Sequence, residues 1–344
     1  MNTNNNEQSC EIRKMRPEDE HERSLLLREK SGTEFYDKYK SSFVDVPCPA
    51  CGNKEGIKFY KKFGFDHKKC TNCSTFWCSP RPTEQLLSDY YSYSEATKYW
   101  TQLLIKTNNE RKVLQYEPRV NHIIRVLKNT HKQTQQNVTS NIAVDMGAGS
   151  GAFALALKKT GHFSDVIAVD FDEDCCKTCE SYGLNTKQGS INIIDNDSVD
   201  LISMNDMIEH LFDPKTFLMQ CRRKLVSGGA LSIACPNGEG FDYQIMKEMT
   251  VNITPPEHLN YFNTHSLPLL LENIGYKVVS VETPGILDIQ IVKRALQQNK
   301  INIEDNKYLK YLLLNAHDSI LTSLQDFIKT NNLSSHMVLV AIKA

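Results

Sequence analysis

The sequence predicts an α/β protein: a parallel sheet wound by helices on both faces, with a small cysteine-bearing unit ahead of it. Two observations carry that expectation. The stretch Asn141 to Lys158, NIAVDMGAGSGAFALALK, runs from a short apolar strand through a glycine-rich turn into an amphipathic helix, and apolar strand-like runs alternate with helical segments after it. Well before it stand two C-x-x-C pairs, Cys48 with Cys51 and Cys70 with Cys73.

The turn after strand Ile142 to Met146 reads Asp145-Met146-Gly147-Ala148-Gly149-Ser150-Gly151. Glycines allow positive φ or close backbone approach, and the first amides of the following helix, at its positive dipole end, face whatever fills the turn. Dinucleotide folds hold a pyrophosphate with G-x-G-x-x-G. Here the spacing is G-x-G-x-G with an acid just before it. A carboxylate at that point repels a phosphate but suits a ligand with an ammonium group and a sulfonium centre, as in S-adenosylmethionine.

Two further segments agree. Strand Val166 to Val169 ends in Asp170 with Phe171 after it, where a carboxylate can accept both hydroxyls of a ribose. The fourth strand, Val199 to Met204, runs into Asn205-Asp206-Met207-Ile208-Glu209-His210-Leu211-Phe212-Asp213-Pro214, whose last two residues suit the N-cap and first position of a helix.

With these residues in this order, the sequence resembles the class I S-adenosylmethionine-dependent methyltransferases. The E-H-x-x-D-P segment is similar to the one that follows strand four in members acting on small molecules. The resemblance implies a seven-stranded Rossmann-like methyltransferase core in which Asp145, Gly147, Gly149, Asp170, Phe171, Asn205 and Asp206 bind the cofactor. It also places adenine contacts at Gly189-Ser190-Ile191, after the third strand Asn185 to Lys187, and so adds Ser190.

At 344 residues the chain can hold a full α/β core with appendages. Lysine and arginine number 40 against 41 acids, a formal charge of −1, which advertises neither nucleic acid nor an anionic membrane as partner. No apolar run is long enough to span a bilayer, and the first thirty residues hold no signal-peptide core, so a cytoplasmic location is expected. The eleven cysteines then read as metal ligands or free thiols.

The expected organisation begins with a polar segment over residues 1–42, its first dozen residues poorly ordered and its charged stretch Glu18 to Lys30 a short surface helix. A zinc ribbon follows over residues 43–82. Zinc takes four tetrahedral ligands, and each C-x-x-C pair, Cys48/Cys51 and Cys70/Cys73, supplies two thiolates from one turn. A closed four-cysteine set is structural; Cys78 is spare, and His67 is a less favoured substitute ligand. Ile57 to Phe65 reads as a strand or hairpin arm and Thr75 to Cys78 as another.

Residues 83–140 read as a helical linker. Thr83 is a candidate N-cap, and Tyr90, Tyr91, Tyr93, Tyr99 and Trp100 crowd together, either packing the ribbon on the next domain or lining a cleft. Glu110 to Leu127 is helical, and Asn129 to Asn141 is a polar linker. In the core, residues 141–344, Cys175, Cys176 and Cys179 form a buried helix face. Ala230 to Ala234 is the fifth strand, His265 to Gly275 a helix, and Tyr276 to Val281 the sixth strand. Met337 to Ile342 is a seventh, antiparallel strand. A helical insertion spans residues 285–334, where Tyr308, Leu312, Leu313 and Ile320 give an apolar face for a lid, a dimer contact or core.

After the fifth strand comes Pro255-Pro256-Glu257-His258-Leu259-Asn260-Tyr261-Phe262. The Glu-His-x-x-Tyr-Phe run resembles zinc-containing sugar methyltransferases, a likeness covering Val46 to Pro284; the large third domain of that family has no counterpart up to Ala344. Carried across, His258 is the base and Glu257 orients it, with His210 a second candidate. A histidine suits proton removal at neutral pH. The expected function is therefore methyl transfer from S-adenosylmethionine to a small, sugar-like or nucleotide-sugar metabolite, with zinc structural. The alternatives are an RNA methyltransferase gripping RNA with the ribbon, against which stand the charge balance and the lack of an Asn-Pro-Pro-Tyr motif, and a non-catalytic scaffold that retains the cofactor fold.

Overall fold

The computed structural model describes residue 14, residues 17–134 and residues 141–344, without the side chains of 131–134. The expected disorder of the first dozen residues, and residues 135–140 of the expected linker, lie outside the described residues; the linker's first part, expected from Asn129, instead continues the helix Glu117–Thr134.

The helix Glu18–Tyr39 opens the described chain. It runs past the end expected at Lys30, through a glycine that could have broken it. The structure uses Gly32 instead for close approach, since a Cβ there would sit 2.6 Å from the Pro255 carbonyl oxygen. Nor is it only a surface helix: Ser24, Arg28, Gly32 and Phe35 form a buried stripe at helical spacing.

The ribbon follows as β1 (Gly56–Lys62), β2 (Phe65–Cys70) and β3 (Phe76–Cys78). Ile57 to Phe65 is not one arm: the chain reverses at Phe63-Gly64, both at positive φ, the geometry of a type I′ hairpin turn. Gly64 is required twice over, because a Cβ would strike the Tyr36 ring at 2.4 Å.

The core strands are β4 (Ile142–Met146), β5 (Asp165–Asp170), β6 (Asn185–Gln188), β7 (Val199–Asn205) and β8 (Leu225–Pro236). After the two-residue β9 (Asn260–Tyr261) come β10 (Tyr276–Glu282) and β11 (His336–Lys343). The large sheet has seven strands in the order β10-β11-β8-β7-β4-β5-β6, with β11 antiparallel to both neighbours. Strand order reverses beside β4, between β5 and β7, which is where open α/β sheets bind ligands at the carboxyl ends.

Period-two alternation divides the central strands between two cores. Val144, Met146, Ile202, Met204 and Leu231 face one side, and Ala143, Leu201 and Ala230 face the other with Val120, Ile123, Phe153 and Leu157 from the covering helices. The first core also takes in Cys48, Cys70, Cys73 and Trp77, so the ribbon packs on the sheet's own apolar layer. Two further contacts join them. β9 pairs with β3, stacking Tyr261 on Phe76 at 4.1 Å, and the buried Arg81 donates to the carbonyls of Cys78, Phe212 and Leu259.

Residues between β10 and β11 form the helices Asp288–Gln297, Lys307–Asn315 and Asp318–Thr330. Their core consists of Ile289, Val292, Leu296, Leu313, Leu321 and Ile328 with Met246. Of the apolar face expected there, Leu313 is buried, whereas Tyr308 and Ile320 are exposed, Tyr308 at 75 %. The helical phase puts Leu321, one position on, against the core in place of Ile320.

Candidate methyltransferase site and metal centre

The loop after β4 is tied to the end of β5. Gly147, Gly149 and Gly151 have φ of 66, 54 and 78°, a conformation that only glycine adopts without strain. The Gly147 and Ala148 amides donate to Val169 O, and the Gly149 amide donates to Asp170 Oδ2 at 2.8 Å. Asp170 Oδ1 accepts from the Asp172 amide at 2.9 Å. Burial raises the Asp170 carboxyl against these amide bonds, and a carboxylate has lone pairs left for ribose hydroxyls. Phe171, next in sequence, is 68 % exposed, an apolar ring left at the carboxyl end of the strand. Ser190 stands at the carboxyl end of β6, before the short turn Ile191–Ile193.

Asp145 does not face open space. It is 1 % exposed, accepting from Ser203 Oγ at 2.9 Å and Asn205 Nδ2 at 3.4 Å. Burial pushes its carboxyl up to about 7 despite those bonds. Arg119 Nη1 donates to Asn205 Oδ1 at 2.6 Å and completes a chain from the helix Glu117–Thr134 to Asp145. Asp206 has φ of 52° and meets His336 Nε2 at 2.7 Å. Burial works to raise Asp206, but the charges of His336 and Arg119 hold it below the usual carboxylate range. The cofactor residues expected from the sequence thus converge on the ends of β4, β5, β6 and β7. The positive-φ loop, Asp170 and the exposed Phe171 fit an adenosyl ligand. Arg119, Ser203 and His336 gave no signal in the sequence beyond their polar character.

Beyond β7, the short turn Ile208–His210 carries Glu209 and His210, and the segment before β9 carries Glu257 and His258. Asn260 ties the two together by donating to Leu211 O at 2.7 Å and Glu209 O at 3.3 Å. The rings of His210 and His258 meet edge-on at 4.7 Å. His258 Nδ1 donates to Asn252 O at 2.7 Å, leaving Nε2 as acceptor. His210 Nδ1 lies 2.9 Å from Tyr91 Oη, which also reaches Glu257 O at 3.3 Å. A carbonyl can only accept, so both contacts are satisfied together when the Tyr91 proton goes there and His210 Nδ1–H donates to Tyr91, an arrangement that again leaves Nε2 bare. Burial lowers both imidazoles, His210 to about 4 and His258 well below the usual histidine range, with Arg28 adding to the effect.

The expected orientation of His258 by Glu257 is not what these contacts form. Glu257 meets Arg28 Nε at 3.1 Å and accepts from Tyr90 Oη at 3.4 Å, while Asn252 holds the imidazole. Arg28 offers the buried carboxylate a full positive charge that a neutral imidazole cannot match. Its guanidinium also lies over the Trp100 ring at 4.6 Å, so the clustered aromatics both pack and line the site. His258 is 8 % exposed beneath this roof.

In the ribbon, the four sulfurs of Cys48, Cys51, Cys70 and Cys73 lie within 4.8 Å of one another, with Cys48–Cys73 and Cys51–Cys70 both at 3.5 Å. Zinc–sulfur bonds of about 2.3 Å put tetrahedral thiolates about 3.8 Å apart, so the cluster is compatible with a zinc ribbon. Cys78 is buried behind it, and His67 lies on β2, facing Phe76 and Tyr261.

A seven-stranded sheet with one reversed strand, a glycine loop at its switch point and a carboxylate at the end of the next strand make up a Rossmann-like methyltransferase fold. Residues 118–281 match the family profile described as a methyltransferase domain. The chain is 27 % identical over 125 residues to a ubiquinone biosynthesis O-methyltransferase of Methylococcus capsulatus, covering 34 % of this chain and 52 % of that protein. It is 22 % identical over 211 residues to the Coxiella burnetii protein of the same description, covering 57 % and 86 %. The match thus spans about half of the Methylococcus relative. Among solved structures, a SAM-dependent methyltransferase from Archaeoglobus fulgidus aligns with a TM-score of 0.41 at 18 % identity, over 63 % of this chain and 93 % of that one. No helix among the described residues is long and apolar enough to cross a membrane.

Proposed function

We propose that the protein transfers the methyl group of S-adenosylmethionine to a hydroxyl or acidic carbon of a small, sugar-like metabolite. The observation that carries this reading is the depth of His258, 8 % exposed, with the half-buried His210 ring against it and the helix Glu18–Tyr39 alongside. A nucleobase within a polymer has to be extruded to reach such a depth, whereas a metabolite can be enclosed.

Asp170, Phe171 and Ser190 would hold the adenosyl part of the cofactor, and Asp145, Asn205 and Asp206 would shape the wall beside the glycine loop. Methyl transfer is an in-line displacement, so the enzyme's tasks are to hold the acceptor close and to remove its proton. His258 Nε2, unprotonated and fixed by Asn252, suits the second task. Cys48, Cys51, Cys70 and Cys73 would hold a structural zinc. A phenolic acceptor is the second reading, favoured by the ubiquinone-pathway descriptions of two relatives.

The test is methyl-labelled S-adenosylmethionine incubated with the protein and fractionated extract. Label entering small carbohydrates, reduced about 10²- to 10⁴-fold in His258→Ala, supports the reading. Label in phenolic compounds favours the second reading, and label in RNA or protein overturns both.

A further inference from the structure

Glu209, His210 and His258 place three potential metal donors within 4.8 Å of one another, far from any cysteine of the ribbon in sequence and built from different elements. Glu209 is 1 % exposed, and neither of its carboxylate oxygens meets a hydrogen-bond donor from another residue among those described. A buried carboxylate without a partner is costly and marks a missing one.

The surroundings are those of a metal ligand set. An imidazole that binds a cation through Nε2 ordinarily donates its Nδ1–H to a carbonyl or another fixed acceptor, which sets the ring's tautomer and direction. Both histidines do this: His258 to Asn252 O at 2.7 Å and His210 to Tyr91 Oη at 2.9 Å. Tyr91 is in turn held by Glu257 O. Of the positive charges nearby, Arg28 is engaged by Glu257 at 3.1 Å and Arg119 by Asn205 at 2.6 Å.

We infer that Glu209, His210 and His258 form a second metal site, distinct from the four-cysteine cluster, that takes a first-row divalent cation. Two imidazoles and one carboxylate are borderline-hard donors suited to zinc, iron(II) or manganese(II), and they leave coordination positions open. Bonds of about 2.0–2.2 Å set tetrahedral donors roughly 3.5 Å apart, so these side chains need to draw in only by small rotations. The cation would lie beside the loop after β4, where Met207 already approaches Gly147, and so next to the position at which the cofactor is proposed to bind. Resting on the methyltransfer reading above, but with His258 Nε2 engaged as a ligand in place of acting as the bare base, its use there is to hold an acceptor oxygen. Three protein ligands keep a place for one.

The experiment is a cobalt(II) titration of the metal-stripped full chain, followed by absorbance, with metal content per chain measured after dialysis. Thiolate-to-cobalt charge transfer reports the ribbon. The expected result is two equivalents per chain, one of them without a thiolate band, and one equivalent in Glu209→Gln and in His258→Gln with the thiolate band retained. Saturation at the ribbon's single equivalent in the unmodified chain overturns the inference, as does a second equivalent that survives both variants. S-adenosylmethionine binding, measured by calorimetry on the same samples, keeps the outcomes separate: cofactor binding with one metal rejects this site alone, whereas two metals without cofactor binding reject the methyltransfer reading alone. Turnover that persists when only the second metal is removed would return His258 to the part of a bare base and overturn the use proposed for the cation.

Discussion

Arg28, on the first helix of the described chain, meets Glu257, in the segment before β9, at 3.1 Å, with both side chains buried. Burial pushes the Glu257 carboxyl up, and Arg28 and Tyr90 pull it back. Removing one partner strands the other's charge. Arg28→Ala is expected to lower stability by about 3–5 kcal/mol in urea denaturation. Arg28→Met with Glu257→Gln together should lose much less than the two single changes summed. Additive losses in that cycle would show that the pair is not coupled.

The glycine loop gives a paired comparison. At Gly151 a Cβ would lie 2.9 Å from both Cys179 Sγ and Leu184 Cδ1, whereas at Gly149 the nearest atom is 3.8 Å away. Both positions carry positive φ, so each alanine costs about 1 kcal/mol or more from the backbone alone. Gly151→Ala should cost at least another 1 kcal/mol through overpacking and lower the thermal midpoint further than Gly149→Ala. Differential scanning calorimetry of the two variants decides it.

Asp145 should make stability depend on pH. Its folded carboxyl, raised to about 7 by burial, keeps a proton that the unfolded chain has lost above about 4. The folded state is therefore penalised as pH rises from about 4 to about 7, by on the order of 4 kcal/mol at full ionisation. Asp145→Asn should flatten that part of the profile in denaturant melts followed across pH. An unchanged slope would show that Ser203 and Asn205 already hold the carboxylate ionised.

The four-cysteine cluster should hold one zinc whose removal unfolds the ribbon. Cys73→Ser is expected to lose that metal in elemental analysis. Because Asn263 Nδ2 donates to Cys73 O at 3.1 Å while its Oδ1 accepts from the His265 and Ser266 amides at the start of the helix Ser266–Asn273, the damage should reach the core as a lowered melting temperature. A ribbon that keeps its near-UV spectrum after chelation would count against a structural zinc.

Much of the sheet was legible because its signals are local. Ile142 to Met146 is an apolar run stopped by a glycine turn, and β4 has those same ends. The acids at strand ends and both Glu-His pairs stood out for the same reason. What could not be read was which side chain would answer which. Asn252 holding His258, Arg28 reaching Glu257 and Arg119 reaching Asn205 each join residues whose spacing carries no periodic signal. The adjacency of Glu257 and His258 suggested a pair, yet each found its partner elsewhere. Burial selects the strongest available counter-charge, and that is a property of the assembled molecule.

The pairing of β9 with β3 also bears on the order in which the chain can form. During synthesis the two cysteine knuckles emerge early and can take metal at once, but Phe76 and Trp77 must wait for Tyr261 and Asn260, beyond five strands of the large sheet. Until then β3 is an unpaired edge with a large aromatic surface, a form open to mispairing and aggregation. The nascent ribbon is thus a half-structure, its knuckles free to take metal, whose last strand is delivered by the core. Its completion reports that the core's chain has passed its fifth strand and turned back.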